Sequence, residues 1–494
     1  MSVPVPAVRI RALNDRKPEP GRAYVLYWMT AFRRLTANFA LERAVEIARE
    51  AGRPLLVFEP LRVDYPFASD RLHRFVMEGM AEHSQALANT PVTYFPYVEP
   101  SPGAARGLLQ DLASRAVAVV ADDYPCFFLP GMVESAARQV DSRLECVDSN
   151  GLLALRESSR TFATALSFRA HMQRCLTAQV EVWPSVLNLR DLPVPPAGLI
   201  PESTRRRWPP ASPGDLANPD SVLPRLPIDH TVRAVPLQGG ATAASAQLRR
   251  FLKETLPVYA DRHSHPDDDA TSRLSPWLHF GHLSAHQIFE AVMTQERWTS
   301  RSLGRAAGGK RAGWWGVSAG ADAFLDQLVT WREIGFNMCV TRPADYWTFE
   351  SLPIWALATL EIHSVDPRTP LYSENALAEA RTHDAVWNAA QRQLVRDGWM
   401  HNYLRMLWGK KILEWTASPR EALESMTRLM NRYALDGRDP NSYSGYAWTL
   451  GRYDRPWGPE REIFGTVRYM SSTNTVRKLR MKNYLQRYGG GLSL

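Results

Sequence analysis

The chain has 494 residues, 45% of them hydrophobic and 22% charged, and its 59 Lys and Arg against 51 Asp and Glu leave a formal charge of +8. This length accommodates two or three domains with a large core, and the basic excess suits a polyanionic partner without demanding one. Four scattered cysteines without CxxC or metal-ligand spacing, a polar N-terminus and no run of ~18 apolar residues exclude a disulfide scaffold, a zinc module and a helical membrane span, and we expect a reduced, cytoplasmic protein.

The first ~180 residues alternate short apolar runs with helical stretches. Residues 24–28, 55–58, 92–95, 116–121 and 144–148 read as strands, with helices around 38–51, 69–88, 104–114 and 132–140 between them. Such alternation predicts a parallel sheet covered on both faces. Neither GxGxxG nor GxxxxGK[ST] follows the first strand, so a dinucleotide fingerprint and a P-loop are not expected. From 184 to 242 the text turns proline-rich and aperiodic (PVPPAGLIPE, RRRWPPASPGD, LPRLPIDH), which predicts a long connector wrapped over the surface. Its Arg205–Arg207 run reads as solvated rather than as a DNA contact. After 242 the pattern is helical almost to the end, over 243–255, 284–294, 321–338, 383–397, 401–415 and 419–433. The expected division is therefore an α/β domain over 1–183, a connector over 184–242 and an all-helical domain over 243–494.

Several stretches of the helical half carry chemistry. TSRLSPWLHFG (271–281) gathers hydroxyls and an arginine at a predicted helix start. Anions suit such ends, although a Ser/Thr-rich start is also an ordinary cap. TWREIGFN (330–337) sets Arg332, Glu333 and Asn337 in an apolar helix, where buried polar groups need partners. The run from His383 to Thr416 holds Trp387, Trp399, Trp408 and Trp415. Trp408 and Trp415 fall on one helix face, about 10 Å apart along its axis, with Trp387 on the preceding helix. By periodicity these indoles are core filler; at that spacing they also suit electron hopping. LDGRDPNSYSGYAW (435–448) is turn-rich, and the basic tail (Arg461, Arg468, Arg477, Lys478, Arg480, Lys482, Arg487) reads equally as a solvated face or a phosphate track.

WNAAQ, the GWMHN–LRM run, W-x-KKILEW, DGRDPN and EREIFG-x-VRYM resemble the photolyase/cryptochrome flavoproteins, most closely the class II cyclobutane pyrimidine dimer photolyases. LYWM–NFAL–LERA in the first half is similar to the same class. The resemblance implies a Rossmann-like antenna domain with a parallel sheet, followed by an all-α FAD-binding domain. It places the FAD phosphates on Thr271, Ser272, Arg273, Leu274 and Ser275, with Tyr259 a further contact. Arg332, Glu333, Asn337, Asn402 and Arg405 would line the flavin, as would Met430, Asp436, Asp439 and Asn441. Trp408 would stand nearest the flavin, Trp387 in the middle and Trp415 outermost, recharging oxidised flavin.

The same resemblance implies that Met406, Trp448, Trp331 and Gln327 meet a pyrimidine dimer flipped out of damaged DNA, while Arg477, Lys478, Arg480 and Lys482 hold phosphates. It implies light-driven dimer repair by a monomer without a metal or membrane contact, and a deazaflavin-type antenna chromophore. The alternative is a cryptochrome-like blue-light photoreceptor without repair activity. Two departures favour that alternative: Gln327 replaces the acid that meets the dimer, and Met430 replaces the asparagine facing flavin N5, unless Asn431 serves instead. Elsewhere YMSS replaces YMN, and the G-x-H-D piece reads Gly451-Arg452-Tyr453-Asp454.

Overall fold

The computed structural model describes residues 4–490. Its N-terminal part is built on a six-stranded sheet in the order β1-β6-β5-β2-β3-β4. The strands are β1 (Ile10–Ala12), β2 (Tyr24–Trp28), β3 (Leu55–Leu61), β4 (Thr93–Val98), β5 (Ala116–Asp122) and β6 (Arg143–Val147). β2 to β6 run parallel, and the β2 and β5 runs are buried along their whole length because both faces are covered. The expected parallel sheet is present, and at one edge β1 adds an antiparallel pairing with β6. A three-residue strand is too short to show any alternation, which is why the sequence pattern missed it.

Local chemistry sets the element ends. The Phe39–Ala51 helix starts where the Asn38 side chain accepts from the N–H groups of Ala40 and Leu41, and stops at Gly52 with φ 61°. At the end of β5 the Asp122 carboxylate accepts from the backbone N–H groups of Thr30, Ala31 and Phe32 at 2.7–2.8 Å and from the Tyr27 hydroxyl. One buried acid thereby fixes the turn that leaves β2.

The chain forms two compact units, each assembled from several stretches. Within the described residues, the sheet unit comprises 4–157, 178–246 and 274–290, and the helical unit 158–177, 247–273 and 291–490. Residues 184–242 are more than a surface wrap. They contain short helices at Glu202–Arg207, Pro213–Ala217 and Pro219–Val222, and they bury Leu199, Ile200 and Trp208 in the core cluster of the sheet. The Trp208 indole N–H donates to the Ala104 carbonyl at 3.0 Å. Arg205, Arg206 and Arg207 lie exposed on the first of these helices. Residues 274–290 join the same unit, with Phe280 5.1 Å from the Phe75 ring and the Trp277 indole N–H donating to the Gln238 carbonyl.

The helical unit carries the expected helices at Ala385–Asp397, Asn402–Trp415 and Pro419–Tyr433, while the stretch expected to be turn-rich, 435–448, holds a further helix at Pro440–Thr449. The sequence pattern also gives no sign of Ile354–Ile362, or of the π-type turn over Asp326–Trp331 that interrupts the 319–341 helix. Among the described residues no helix is long and apolar enough to cross a membrane.

Candidate active site

Trp408, Trp387 and Trp415 form a file in the helical unit. Trp387 lies in the middle, its ring 6.2 Å from Trp408 and nearly parallel to it, and 5.6 Å from Trp415 at 70°. All three are buried. Their positions are over-determined: the Trp387 N–H donates to the Trp408 carbonyl at 3.0 Å, and the Trp408 N–H donates to the Gln391 side chain at 2.9 Å. Asp384 starts the helix carrying Trp387 by accepting from the N–H groups of Val386 and Trp387. Beyond Trp415 stand half-buried Tyr372 and exposed His383, at 5.5 and 5.2 Å, so the file ends near solvent. Neither Tyr372 nor His383 carries a role that the sequence motifs imply.

The DGRDPN hexapeptide works as a joint between two helices. The Asp436 carboxylate takes both bonds from one nitrogen of the Arg405 guanidinium at 2.8 Å. Arg438, at φ 61°, donates to the Asn431, Ala434 and Leu435 carbonyls, satisfying the end of the 419–433 helix. Asp439 accepts from the Asn441 N–H and opens the next helix, with Pro440 at its first turn and the Asn441 side chain exposed. Asn431 is spent in this joint: its carbonyl oxygen accepts from the Arg438 N–H and the Tyr446 hydroxyl, and its amide donates to Tyr443. Met430 is buried beside it.

Around the start of the 402–415 helix lies a cluster of cationic and unpartnered groups. His401 is buried with neither ring nitrogen hydrogen-bonded. Burial first, then the charges of His263, Arg273, Arg405 and His265, push its pKa down to about 3, so it is neutral at physiological pH. The Thr271 hydroxyl is likewise buried without a partner. Arg273, at φ 55°, pairs with Asp269 and lies 4.8 Å over the Trp399 ring. Tyr259 stacks on His263, its hydroxyl pKa raised by burial. Asn402 is exposed and Met406 half-buried on the same helix. Leu274 and Ser275 belong to the sheet unit, so the TSRLS run divides between the two units. His401 lies inside the GWMHN run, where the resemblance gives a role only to its neighbour Asn402.

Gln327 is half-buried in the π-type turn, with Trp331 at its end. The adjacent Asp326 is buried and paired with Arg169 at 2.8 Å and Arg311 at 3.3 Å. Arg332 lies over the Phe336 ring at 4.5 Å, and Glu333 is buried beside it. Asn337 donates to the Arg160 carbonyl and accepts from the Phe162 N–H.

Half-buried Trp448 is flanked by two cations, Lys410 Nζ at 5.4 Å and the Arg468 guanidinium at 5.6 Å from its ring centre. Arg468 also pairs with Asp454 and covers Trp457 at 4.1 Å. Lys410 is fully buried and donates to the Thr449 carbonyl. In the tail, Lys478 and Lys482 are exposed, Arg477 bonds to Asn474, and Arg480 is paired with Asp268.

A parallel-centred α/β unit together with a helical unit holding a buried tryptophan file defines a protein of the photolyase/cryptochrome class. No family model matches the chain. It is 33% identical over 486 residues to the deoxyribodipyrimidine photo-lyase of Methanothermobacter thermautotrophicus, covering 98% of each chain. Against the deoxyribodipyrimidine photo-lyase of Oryza sativa it is 29% identical, over 97% of this chain and 89% of the relative. A class III photolyase from Agrobacterium tumefaciens superposes with a TM-score of 0.67 at 18% identity, over 94% of this chain and 86% of that one, and shares the fold. The protein belongs to the deoxyribodipyrimidine photo-lyase family and is an enzyme of that type.

Proposed function

We propose that the chain is a class II-like, FAD-dependent photolyase that splits cyclobutane pyrimidine dimers in DNA with light. The observation that carries this reading is the tryptophan file, whose inner end, Trp408, sits on the helix that also carries Arg405 and Met406. The donor set fits the cofactor. Buried His401 and the Thr271 hydroxyl have unmet hydrogen-bonding capacity in the neighbourhood of the Arg273 and Arg405 guanidinium groups, which suits a pyrophosphate better than it suits water. FAD, when bound, would supply the light-driven one-electron chemistry that splits the two inter-base carbon–carbon bonds of the dimer.

The chain's residues do the rest. Thr271, Ser272, Arg273 and His401 would orient the phosphates, and the Arg405–Asp436 pair fixes a guanidinium beside the ring site. Trp448 and Trp331 offer aromatic faces on which a flipped pyrimidine dimer can stack. Lys410 and Arg468 hold Trp448 from its surroundings. The Trp408–Trp387–Trp415 file would carry an electron inward by short hops between neighbouring rings. The resemblance further supports a deazaflavin-type antenna chromophore, a monomer, and a cytoplasmic setting in which Cys126, Cys146, Cys175 and Cys339 stay as free thiols.

Two positions favour a second reading, a cryptochrome-like photoreceptor: Gln327 in place of an acid, and Met430 with Asn431 committed elsewhere. One assay separates the two. Photoreduced protein is mixed with dimer-containing DNA under near-UV or blue light, and thymine recovery is measured. Light-dependent recovery is expected; its absence with flavin bound would select the photoreceptor. Trp408→Phe is expected to slow flavin photoreduction at least about tenfold, one hop's loss corresponding to ~1.4 kcal/mol or more of barrier. Unchanged photoreduction would refute the file's role.

A further inference from the structure

Between Glu296 and Asp322 the helical unit has no acidic residue but five cations, Arg297, Arg301, Arg305, Lys310 and Arg311. All five side chains are exposed. Only Arg311 has a carboxylate, reaching Asp326 at 3.3 Å. Among the described residues, Arg297, Arg301, Arg305 and Lys310 have no ion-pair partner, although they fall within 14 residues of one acid-free loop.

The loop is nevertheless built. The Trp298 indole N–H donates to the Trp315 carbonyl at 2.6 Å, Trp314 and Trp315 are buried beneath it, and the Gly304 N–H donates to the Trp314 carbonyl. On its other side Gln173 makes two bonds, accepting from the Gly309 N–H and donating to the Lys310 carbonyl, while Arg169 donates to the Gly309 carbonyl. Gly309 takes φ 75°, and a Cβ there would come within 2.6 Å of the Leu166 carbonyl oxygen, so the close approach needs glycine. Backbone groups and tryptophans hold the loop, which leaves its cations free. Clustered, unpaired positive charge on an ordered backbone is the footprint of a polyanion-binding surface.

The Arg311–Asp326 pair ties the loop to the turn that carries Gln327 and Trp331. We propose that the 297–311 loop is a DNA-backbone contact, with Arg297, Arg301, Arg305 and Lys310 binding duplex phosphates beside the lesion pocket. This rests on the repair reading for its substrate. The contact is sequence-independent and damage-independent, since phosphates carry neither kind of information.

The test is the salt dependence of DNA binding by the full chain, with R297Q/R301Q/R305Q/K310Q against the charge-matched control R16Q/K17Q/R106Q/R138Q, whose positions are exposed on the sheet unit. Each lost phosphate contact lowers the slope of log K against log salt by about 0.9, so the loop variant is expected to lose about 2 to 4 in slope and at least about tenfold in affinity. The loss should be equal for damaged and undamaged duplex, with repair per bound complex unchanged at saturating DNA. R297K/R301K/R305K, which keeps the charge, should keep the slope, separating charge from folding. An unchanged slope, or a loss no larger than the control's, would overturn the proposal. Failure of the repair reading would show instead as wild-type protein that binds DNA with the loop-dependent slope but recovers no thymine.

Discussion

Asp326 and Gln327 are neighbours with opposite freedom. Asp326 is held between Arg169 and Arg311, so it is not a free acid beside Gln327. A glutamine amide donates and accepts hydrogen bonds but offers no acidic proton to a base that gains negative charge. Gln327→Glu is therefore expected to raise light-driven thymine recovery about three- to tenfold, the ~1 kcal/mol of one hydrogen bond strengthened by charge, with little change in DNA affinity. Steady-state recovery at saturating DNA checks it, and a variant no better than the parent refutes a role for this position in the chemistry. Lys410 makes a second prediction. Burial pushes its pKa from 10.5 down to about 7, with Asp454 opposing and Arg468 reinforcing the shift. Below about pH 7 folded and unfolded chains both carry the proton and the folded state bears the cost of burying it. Above that the folded lysine is neutral while the unfolded one stays charged, so the unfolded state binds more protons and stability rises with pH, by up to ~1.4 kcal/mol per unit, until about 10.5. Denaturant melts at about pH 7 and about pH 9 should show this rise, and Lys410→Met should flatten it and match or exceed the parent's stability near pH 7.

At the scale of elements, the legible parts were those whose letters carry their own geometry. β2 and β5 stood out because a strand buried on both faces is a continuous apolar run, and the 419–433 helix because Ser418 and Pro419 mark its start. The tryptophan spacing put three indoles on facing helices, and the structure stacks them in the order 408–387–415. DGRDPN was legible as a motif but not as a device. Its Arg438, to which no role had been given, closes one helix while Asp439 opens the next. The π-type turn at 326–331 could not be read, since adding one residue to a helical turn changes register without any characteristic letter. It also decides which neighbours Asp326 and Gln327 meet, and so an element-level irregularity sets the chemistry of one residue. The core role of Leu199, Ile200 and Trp208 stayed hidden for the opposite reason: isolated apolar anchors among prolines have no period to detect.

For the whole molecule, connectivity matters more than the linear order of segments suggests. The sheet unit is completed by 178–246 and again by 274–290, and the helical unit takes back 158–177 and 247–273. The late segment is integral: Trp277 and Phe280 pack on Phe75, His282 stacks on it at 5.2 Å, and the Gly240 N–H donates to the His282 ring. A fragment ending at residue 242 therefore keeps all six strands yet loses these rings, exposing Phe75 and leaving Gly240 N–H unpaired. Removing two or three large buried side chains costs about 3–5 kcal/mol each, comparable in sum to the whole stability of a typical domain. Residues 158–177, stripped of Asp326 and the Gly309 carbonyl, would leave Arg169 without its carboxylate. We expect the 1–242 fragment to aggregate or to melt without a cooperative transition, whereas the full chain melts cooperatively. Adding residues 274–290 back as a separate peptide should restore part of the fragment's cooperativity, because the missing contribution is a contiguous set of rings with a defined seat. A 1–242 fragment that melts as sharply as the full chain would show that the sheet needs no sequence beyond 242, and that the late segment is an accessory to it.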